Sequence, residues 1–342
     1  MCIRDSKKAI VASEHEIKNN PPSRSAKLRY VVRSKDNFIY PEDLEKKSYS
    51  KHLHIGLLNL MPDPAFQATE RQFVRMLACN DEFLVHLYPT SVETENRSDR
   101  FKTYITEHYN EIDDFQQRGY DGLIISGANP SQKDMTKERF WDPLIEVFEW
   151  AESNTTSIMC SCLATHAIMK AKYEVEREMR DEKAWGIFEH KLGEDHPLII
   201  GLEDGFNGPH SHYYDFPIQA IESTDLKILA SNDFAGIYLA ASEDSKLVMF
   251  QGHPEYSENS LLKEYQREVN SFVNGIRDDY PPLPYDYFPS AAVGKLEEIK
   301  GSILSKPSEI KLDDDLISEI DIEWQGASKK IYDNWLQFLI QS

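Results

Sequence analysis

The sequence contains no run approaching the roughly 18 consecutive apolar residues that a membrane-spanning helix needs. Its most apolar stretches, such as Ile55 to Leu60, are only strand-length. This predicts a soluble protein with no membrane partner. The N-terminus, Met1 to Ser6 followed by Lys7 and Lys8, lacks an apolar stretch long enough for the core of a secretory signal, which predicts a cytoplasmic location. Cysteine is scarce: Cys2, Cys79, Cys160 and Cys162 are too few to frame a chain of 342 residues with disulfides, so free thiols in a reducing compartment are expected. Positive charge is also short, with 38 Lys+Arg against 58 Asp+Glu and a net charge of -20. Such a surface repels nucleic acid and anionic membranes, and any anionic ligand needs a local exception. No repeat of fixed period occurs, and the acidic stretch Asp313 to Asp315 is the one biased block, which removes solenoid architectures.

What remains is a chain long enough to bury one large core. Residues 1–50 are polar, carry Asn19-Asn20-Pro21-Pro22 and show no sustained periodicity; they read as an irregular or partly disordered arm. From Leu53 to Leu60 the composition turns apolar, and Phe66, Phe73, Met76 and Leu77 then follow at helical spacing. Strands are expected again at Phe83 to Tyr88 and Asp121 to Ser126, with helices near Tyr109 to Arg118, from Trp141 to Ala151 and from Ala164 to Tyr173. This alternation predicts an α/β fold with a mostly parallel sheet sandwiched by helices, whose ligands gather at the carboxyl ends of the strands. LKILA, AGIYLA and KLVMFQ from Leu226 onward predict an antiparallel extension, followed by a helix from Asn259 to Phe272.

Ser157 to Cys160 leads into Cys162 and then a helical pattern, with the small residues Cys160 and Ala164 two positions on either side. A nucleophile elbow needs this pattern, because the nucleophile sits in a tight strained turn and the following backbone N–H groups can bind an oxyanion. The usual flanking glycines are absent. A helix N-terminus also favours the thiolate, the attacking species. The competing reading makes Cys160 and Cys162 small buried core residues, as free cysteines usually are. A metal site built on Cys160, Cys162 and His166 fails, because adjacent strand side chains alternate in direction and no second Cys/His cluster has ligand spacing. His253-Pro254-Glu255 follows an apolar strand and a glycine, which would bring an imidazole and a carboxylate to the same strand-end cleft as Cys162. His253 could then take a proton from Cys162 while Glu255 orients the ring.

Several segments together resemble the homoserine O-acyltransferase family: HIGLLNLMP at 54–62, ATERQF at 68–73, YDGLIISGA at 120–128 and GHPEYSENSLLKEYQRE at 252–268. EKAWGIFEH at 182–190, GPHSHY at 208–213, YDYFP at 285–289 and NWLQF at 334–338 add to the likeness in the same order. The resemblance implies a class I glutamine amidotransferase-like (flavodoxin-like) fold over one domain, 51–342, with a C-terminal extension, 276–342, packed on it. It implies acyl transfer from an acyl-coenzyme A to L-homoserine in methionine biosynthesis, by a ping-pong sequence through Cys162 with His253 and Glu255. No bound cofactor is implied beyond the acyl-CoA co-substrate, and related enzymes suggest a homodimer. By position, Lys183, Ser211 and Arg267 fall where the family contacts substrate, and an arginine suits the homoserine carboxylate. The N–H groups of Leu163 and of Ala128, just after Gly127, are the expected oxyanion donors.

Departures from the family pattern bear on the acyl and acceptor pockets. Leu163, Ala164 and His166 follow the cysteine where the family has tryptophan, a glycine or alanine, and glutamine; His212 replaces a common arginine. In the loop after Gly127-Ala128 a glutamate goes with acetyl transfer and a small residue with succinyl, and Ser131 aligns there. Succinyl-CoA is therefore the expected donor, with acetyl-CoA or an L-serine acceptor as alternatives. A glutamine amidotransferase-like amidase and a catalytically silent relative are the readings outside this chemistry.

Overall fold

The computed structural model describes residues 51–342, except 81, 93, 319 and 321, and the backbone of residues 10–11, 27–31, 33–34 and 37–38. Most of the expected N-terminal arm, Cys2 included, lies outside the described residues. Its described pieces are short strands, β1 (Ile10–Val11), β2 (Lys27–Val31), β3 (Arg33–Ser34) and β4 (Asn37–Phe38).

Parallel ladders join β5 (Lys51–Leu58) to β6 (Phe83–Thr90), β5 to β7 (Tyr120–Ile125), and β7 to β8 (Thr155–Ser161). An antiparallel wing follows, of β9 (Glu178–Leu192), β10 (Phe206–Asp215), β11 (Leu226–Asn232) and β12 (Gly236–Ser242), and β13 (Leu247–Phe250) closes it by pairing antiparallel with β12 and parallel with β8. The spatial order is β1-β2-β6-β5-β7-β8-β13-β12-β11-β9-β10. The α/β class, the parallel centre and the antiparallel extension match expectation. The wing is wider than periodicity predicted, because β9 and β10 do not look like strands: the first half of β9 is charged and exposed, and β10 carries Gly208, Pro209 and two histidines.

The helices are α1 (Asp63–Leu77), α2 (Asp99–His108), α3 (Ile112–Phe115), α4 (Trp141–Asn154), α5 (Leu163–Tyr173), the short α6 (Ile218–Glu222), α7 (Ser260–Val273), α8 (Ser290–Ser305) and α9 (Trp324–Gln341). The helix expected near Tyr109 to Arg118 is a single turn, α3. The longer α2 ends before it at the Tyr109 cap, and Asn110, between the two helices, directs its backbone and side-chain N–H groups, at 2.8 and 2.9 Å, to the Pro89 carbonyl at the end of β6.

Alternation along the central strands sends side chains to two cores, as a sheet covered on both faces requires. Ile55, Leu57, Ile124 and Met159 join Phe73 and Leu77 of α1 and Ile331, Trp335 and Leu339 of α9. Leu58, Leu123, Ile125, Ile158 and Cys160 join Leu144 and Phe148 of α4 and Ala164 and Ile168 of α5. A third core unites Trp185 and Ile187 of β9 with Leu262 and Tyr265 of α7 and Leu296 of α8. The tail is strapped to β9 by a pair of backbone hydrogen bonds between Trp185, Ile187 and Tyr285, each 2.8 Å. Gly186, with φ 138°, allows this approach: a Cβ there would lie 2.2 Å from the Tyr285 carbonyl oxygen.

Trp335 fastens α9 to the sheet centre. It is fully buried and its indole N–H donates to Ser157 Oγ at 2.9 Å. Trp335→Ala should cost about 3–5 kcal/mol in urea unfolding, whereas Met179→Ala, at an exposed position, should stay within about 0.5 kcal/mol of the parent. Equal losses would contradict this account of the core.

Candidate active site

β8 delivers the chain to Cys162, where the backbone turns at φ 50°, ψ -109°. A non-glycine residue in such a region costs on the order of 1–3 kcal/mol and persists only when its surroundings enforce it. The enforcement is visible. The Cys162 N–H donates to the Phe250 carbonyl at 2.7 Å, and the Thr165 hydroxyl donates to the same oxygen at 3.0 Å. The parallel β8/β13 ladder runs up to the Ser161↔Phe250 pair, one residue short of the thiol. α5 begins at Leu163, so the thiol stands at a helix N-terminus, as the expected elbow requires.

Cys160, by contrast, is fully buried in the core beneath α4 and α5, and burial pushes its thiol pKa up. The core reading thus describes Cys160, while Cys162 is only half-buried and lies outside the apolar clusters. Gly127 approaches the elbow from the end of β7: a Cβ there would stand 3.5 Å from Cys162 Cβ and 4.0 Å from the Leu163 nitrogen. The segment Gly127–Ala128 and the first amide of α5 therefore flank the thiol. First-turn helix amides have no intrahelical acceptor.

The histidine arrives from β13. Gly252 makes room for Tyr238, whose ring would lie 2.2 Å from a Cβ at that position, and the His253 N–H then donates to the Pro209 carbonyl at 2.9 Å. The imidazole stacks on Tyr256 at 4.2 Å between centroids, and its Nδ1 meets Glu255 Oε1 at 2.9 Å. Ser161 Oγ donates to that same oxygen at 3.3 Å. With Nδ1 engaged, Nε2 is the nitrogen left for the thiol. Burial favours the neutral ring, but the Glu255 carboxylate, the Cys162 thiolate and hydrogen bonds to both outweigh it and hold the His253 pKa well above its usual value. The structure brings the three expected residues, Cys162, His253 and Glu255, into one line.

The expected substrate contacts cluster beside it. Glu264 of α7 accepts from Ser211 Oγ at 2.6 Å, from the Trp185 indole at 2.9 Å and from the Tyr256 hydroxyl, and Lys183 Nζ lies 3.7 Å away. Burial lowers the Lys183 pKa, opposed by Glu264. For Glu264, burial would raise the pKa, but Lys183 and the Ser211 and Tyr256 hydrogen bonds prevail and lower it. Arg267 stands one turn further along α7, 63% exposed, with Glu268 as its ion-pair partner at 3.8 Å. It borders this cluster from solvent and is not buried within it. Glu264 and Tyr256 are not among the expected site residues, although Glu264 lies three residues before Arg267, close to one helix face.

Ser131 is held by a neighbour from its own loop. Its backbone N–H and that of Gln132 donate to Glu138 Oε1, and its hydroxyl donates to Glu138 Oε2 at 3.2 Å. No glutamate occupies position 131, yet a glutamate carboxylate folds back onto it. The two histidine departures are both buried. Burial, reinforced by Arg177, pushes the His166 pKa down to about 3. His212 Nδ1 donates to the Tyr214 carbonyl at 2.9 Å, so its Nε2 accepts from His210 Nδ1 at 2.9 Å, and His210 Nε2 accepts from His190 at 2.8 Å. Neutral rings satisfy this chain, and burial keeps His210 and His212 neutral.

The fold and the site define a class, the α/β proteins that carry a cysteine at a nucleophile elbow. A family model described as homoserine O-succinyltransferase matches residues 23–342. The chain is 41% identical over 318 residues to a homoserine O-succinyltransferase of Methylobacter tundripaludum, covering 91% of this chain and 90% of that one. It is 40% identical over 305 residues to one of Methylococcus capsulatus, covering 85% and 84%. A solved glutamine amidotransferase from Thermotoga maritima aligns over 85% of this chain and 99% of its own, at 10% identity and TM-score 0.49. The chain belongs to the homoserine O-succinyltransferase family.

Glu255→Gln should lower the His253 pKa by about a unit or more, read from the imidazole carbon shift in an NMR titration. An unchanged midpoint would show that Glu255 does not sustain the imidazolium.

Proposed function

We propose that the protein transfers the succinyl group of succinyl-CoA to the side-chain hydroxyl of L-homoserine through a thioester on Cys162. The observation that carries this reading is the Cys162–His253–Glu255 line at the strained elbow, in a chain of this family. The Cys162 thiolate attacks the thioester carbonyl, and the N–H groups of Leu163 and Ala128 receive the developing oxyanion. Collapse expels the coenzyme A thiolate, which takes the proton held at His253. In the second half the homoserine hydroxyl gives its proton to His253 Nε2 as its oxygen attacks the acyl-enzyme, and collapse frees the ester and restores the thiolate–imidazolium pair. Glu255 acts by fixing the ring and stabilising its charge.

Lys183 and Ser211, held by Glu264, and Arg267 at the solvent edge bind the acceptor, with Arg267 suited to its carboxylate. Ser131 borders the acyl group. The free thiol that the mechanism requires suits a reducing cytoplasm.

Coenzyme A release beyond one equivalent per Cys162 should depend on homoserine. Cys162→Ser and His253→Ala should each lower kcat by roughly 10⁴-fold or more, with unfolding midpoints near the parent's, whereas Cys160→Ala should keep turnover within a few-fold. Near-normal turnover of either elbow variant would remove the assignment. Glutamine-dependent ammonia release would point to an amidase, and activity with neither substrate to a silent relative.

A further inference from the structure

Arg177 lies between the end of α5 and the start of β9, and neither the elbow chemistry nor the acceptor cluster uses it. Its guanidinium sits over the Tyr214 ring at 3.9 Å from the centroid. Its hydrogen bond goes to the Lys133 carbonyl at 3.4 Å, in the loop that carries Ser131. Among the described residues no carboxylate stands within ion-pair reach of it. The carboxylate of that loop, Glu138, is already taken up by Ser131 and Gln132. A half-buried guanidinium with one long hydrogen bond has most of its five donors unspent.

Its surroundings place it on the nucleophile's side of the fold. The Tyr214 carbonyl, which follows the ring that carries Arg177, accepts from His212 Nδ1 at 2.9 Å and from Gln251 Nε2 at 3.3 Å. Gln251 follows Phe250, whose carbonyl holds the Cys162 N–H. The loop on its other side leaves Gly127, which flanks the thiol. Burial works against the Arg177 charge, and Tyr214, the Cys162 thiolate and Glu138 support it.

We infer that Arg177, seated on Tyr214 beside the Ser131 loop, is the anion subsite that receives the terminal carboxylate of a dicarboxylic acyl group while its carbonyl is at Cys162. The inference rests on the proposed succinyl transfer. A succinyl group ends in a carboxylate two methylene groups beyond the reacting carbonyl, and a planar fork of N–H donors is the fitting partner for it. In a chain of net charge -20, this is the local exception such a ligand needs. An acetyl group has nothing to offer the site, which leaves the guanidinium unpaired and selects against the shorter donor.

The test compares succinyl-CoA with butyryl-CoA, which has the same chain length without the charge. In Arg177→Gln the ratio of the two kcat/KM values should fall on the order of 100-fold, and Arg177→Lys should recover part of it. An unchanged ratio, with both donors falling together, would show that Arg177 serves packing against Tyr214 and would overturn the inference. A parent protein that does not use succinyl-CoA would refute the proposed function instead. The subsite is then decided by alkylation of Cys162 with iodoacetamide, a neutral reagent. Protection by succinate, weak with butyramide and lost in Arg177→Gln, supports the subsite; equal protection by both ligands, or none, overturns it.

Discussion

The hydrogen bond from the Cys162 N–H to the Phe250 carbonyl, 2.7 Å long, is the contact on which the site depends. It ties a residue with φ 50° to the end of a neighbouring parallel strand, and the same strand carries the chain two residues on into Gly252 and His253. Nucleophile and base therefore derive their relative position from one ladder, β8 against β13, and not from two independent loops. The strain at Cys162 is sustained by the cores on both faces of the sheet, since Met159 and Cys160 below it are locked into opposite layers. A site carried on strand ends is held more rigidly than one carried on loops alone.

Around that ladder the electrostatics are arranged by burial and pairing. His253 is charged despite burial because Glu255 and the thiolate lie on either side of it. His166, His210 and His212 lie nearby in the same interior and are kept neutral by burial, reinforced by Arg177 beside His166 and by the neighbouring histidines and Arg180 around the other two. The imidazolium is thereby confined to the one ring with a proton to move. The raised His253 pKa contributes stability that is fully present below the unfolded value of about 6.5 and is lost as pH rises through the higher folded value.

Much of this was legible in the sequence, and the rest was hidden for physical reasons. The central strands show as apolar runs because both faces of a parallel sheet are buried, and the elbow shows because a tight turn admits only small neighbours. β9 and β10 were hidden: half of one is solvent-facing and charged, and the other carries polar histidines that pair among themselves inside the protein. The helix expected near Tyr109 to Arg118 is cut to the single turn α3, with Asn110 before it drawn to Pro89 by a tertiary contact that no local pattern encodes. Strand-end positions made Cys162, His253 and Glu255 candidates, and the resemblance to the acyltransferase family chose them over a core cysteine and the other histidines. Glu264, Glu138 and Arg177 could not be read in this way, because a charged residue acquires a role only from what the fold brings against it.

The central claim is a covalent acyl-enzyme at the elbow. It is tested most directly by mass spectrometry of the protein incubated with succinyl-CoA without acceptor, followed by peptide mapping and then addition of L-homoserine. The account predicts a single succinyl adduct on the Cys162 peptide, absent in Cys162→Ser, that homoserine discharges. An adduct confined to another residue, or product formation with no adduct and an active Cys162→Ser enzyme, would contradict it.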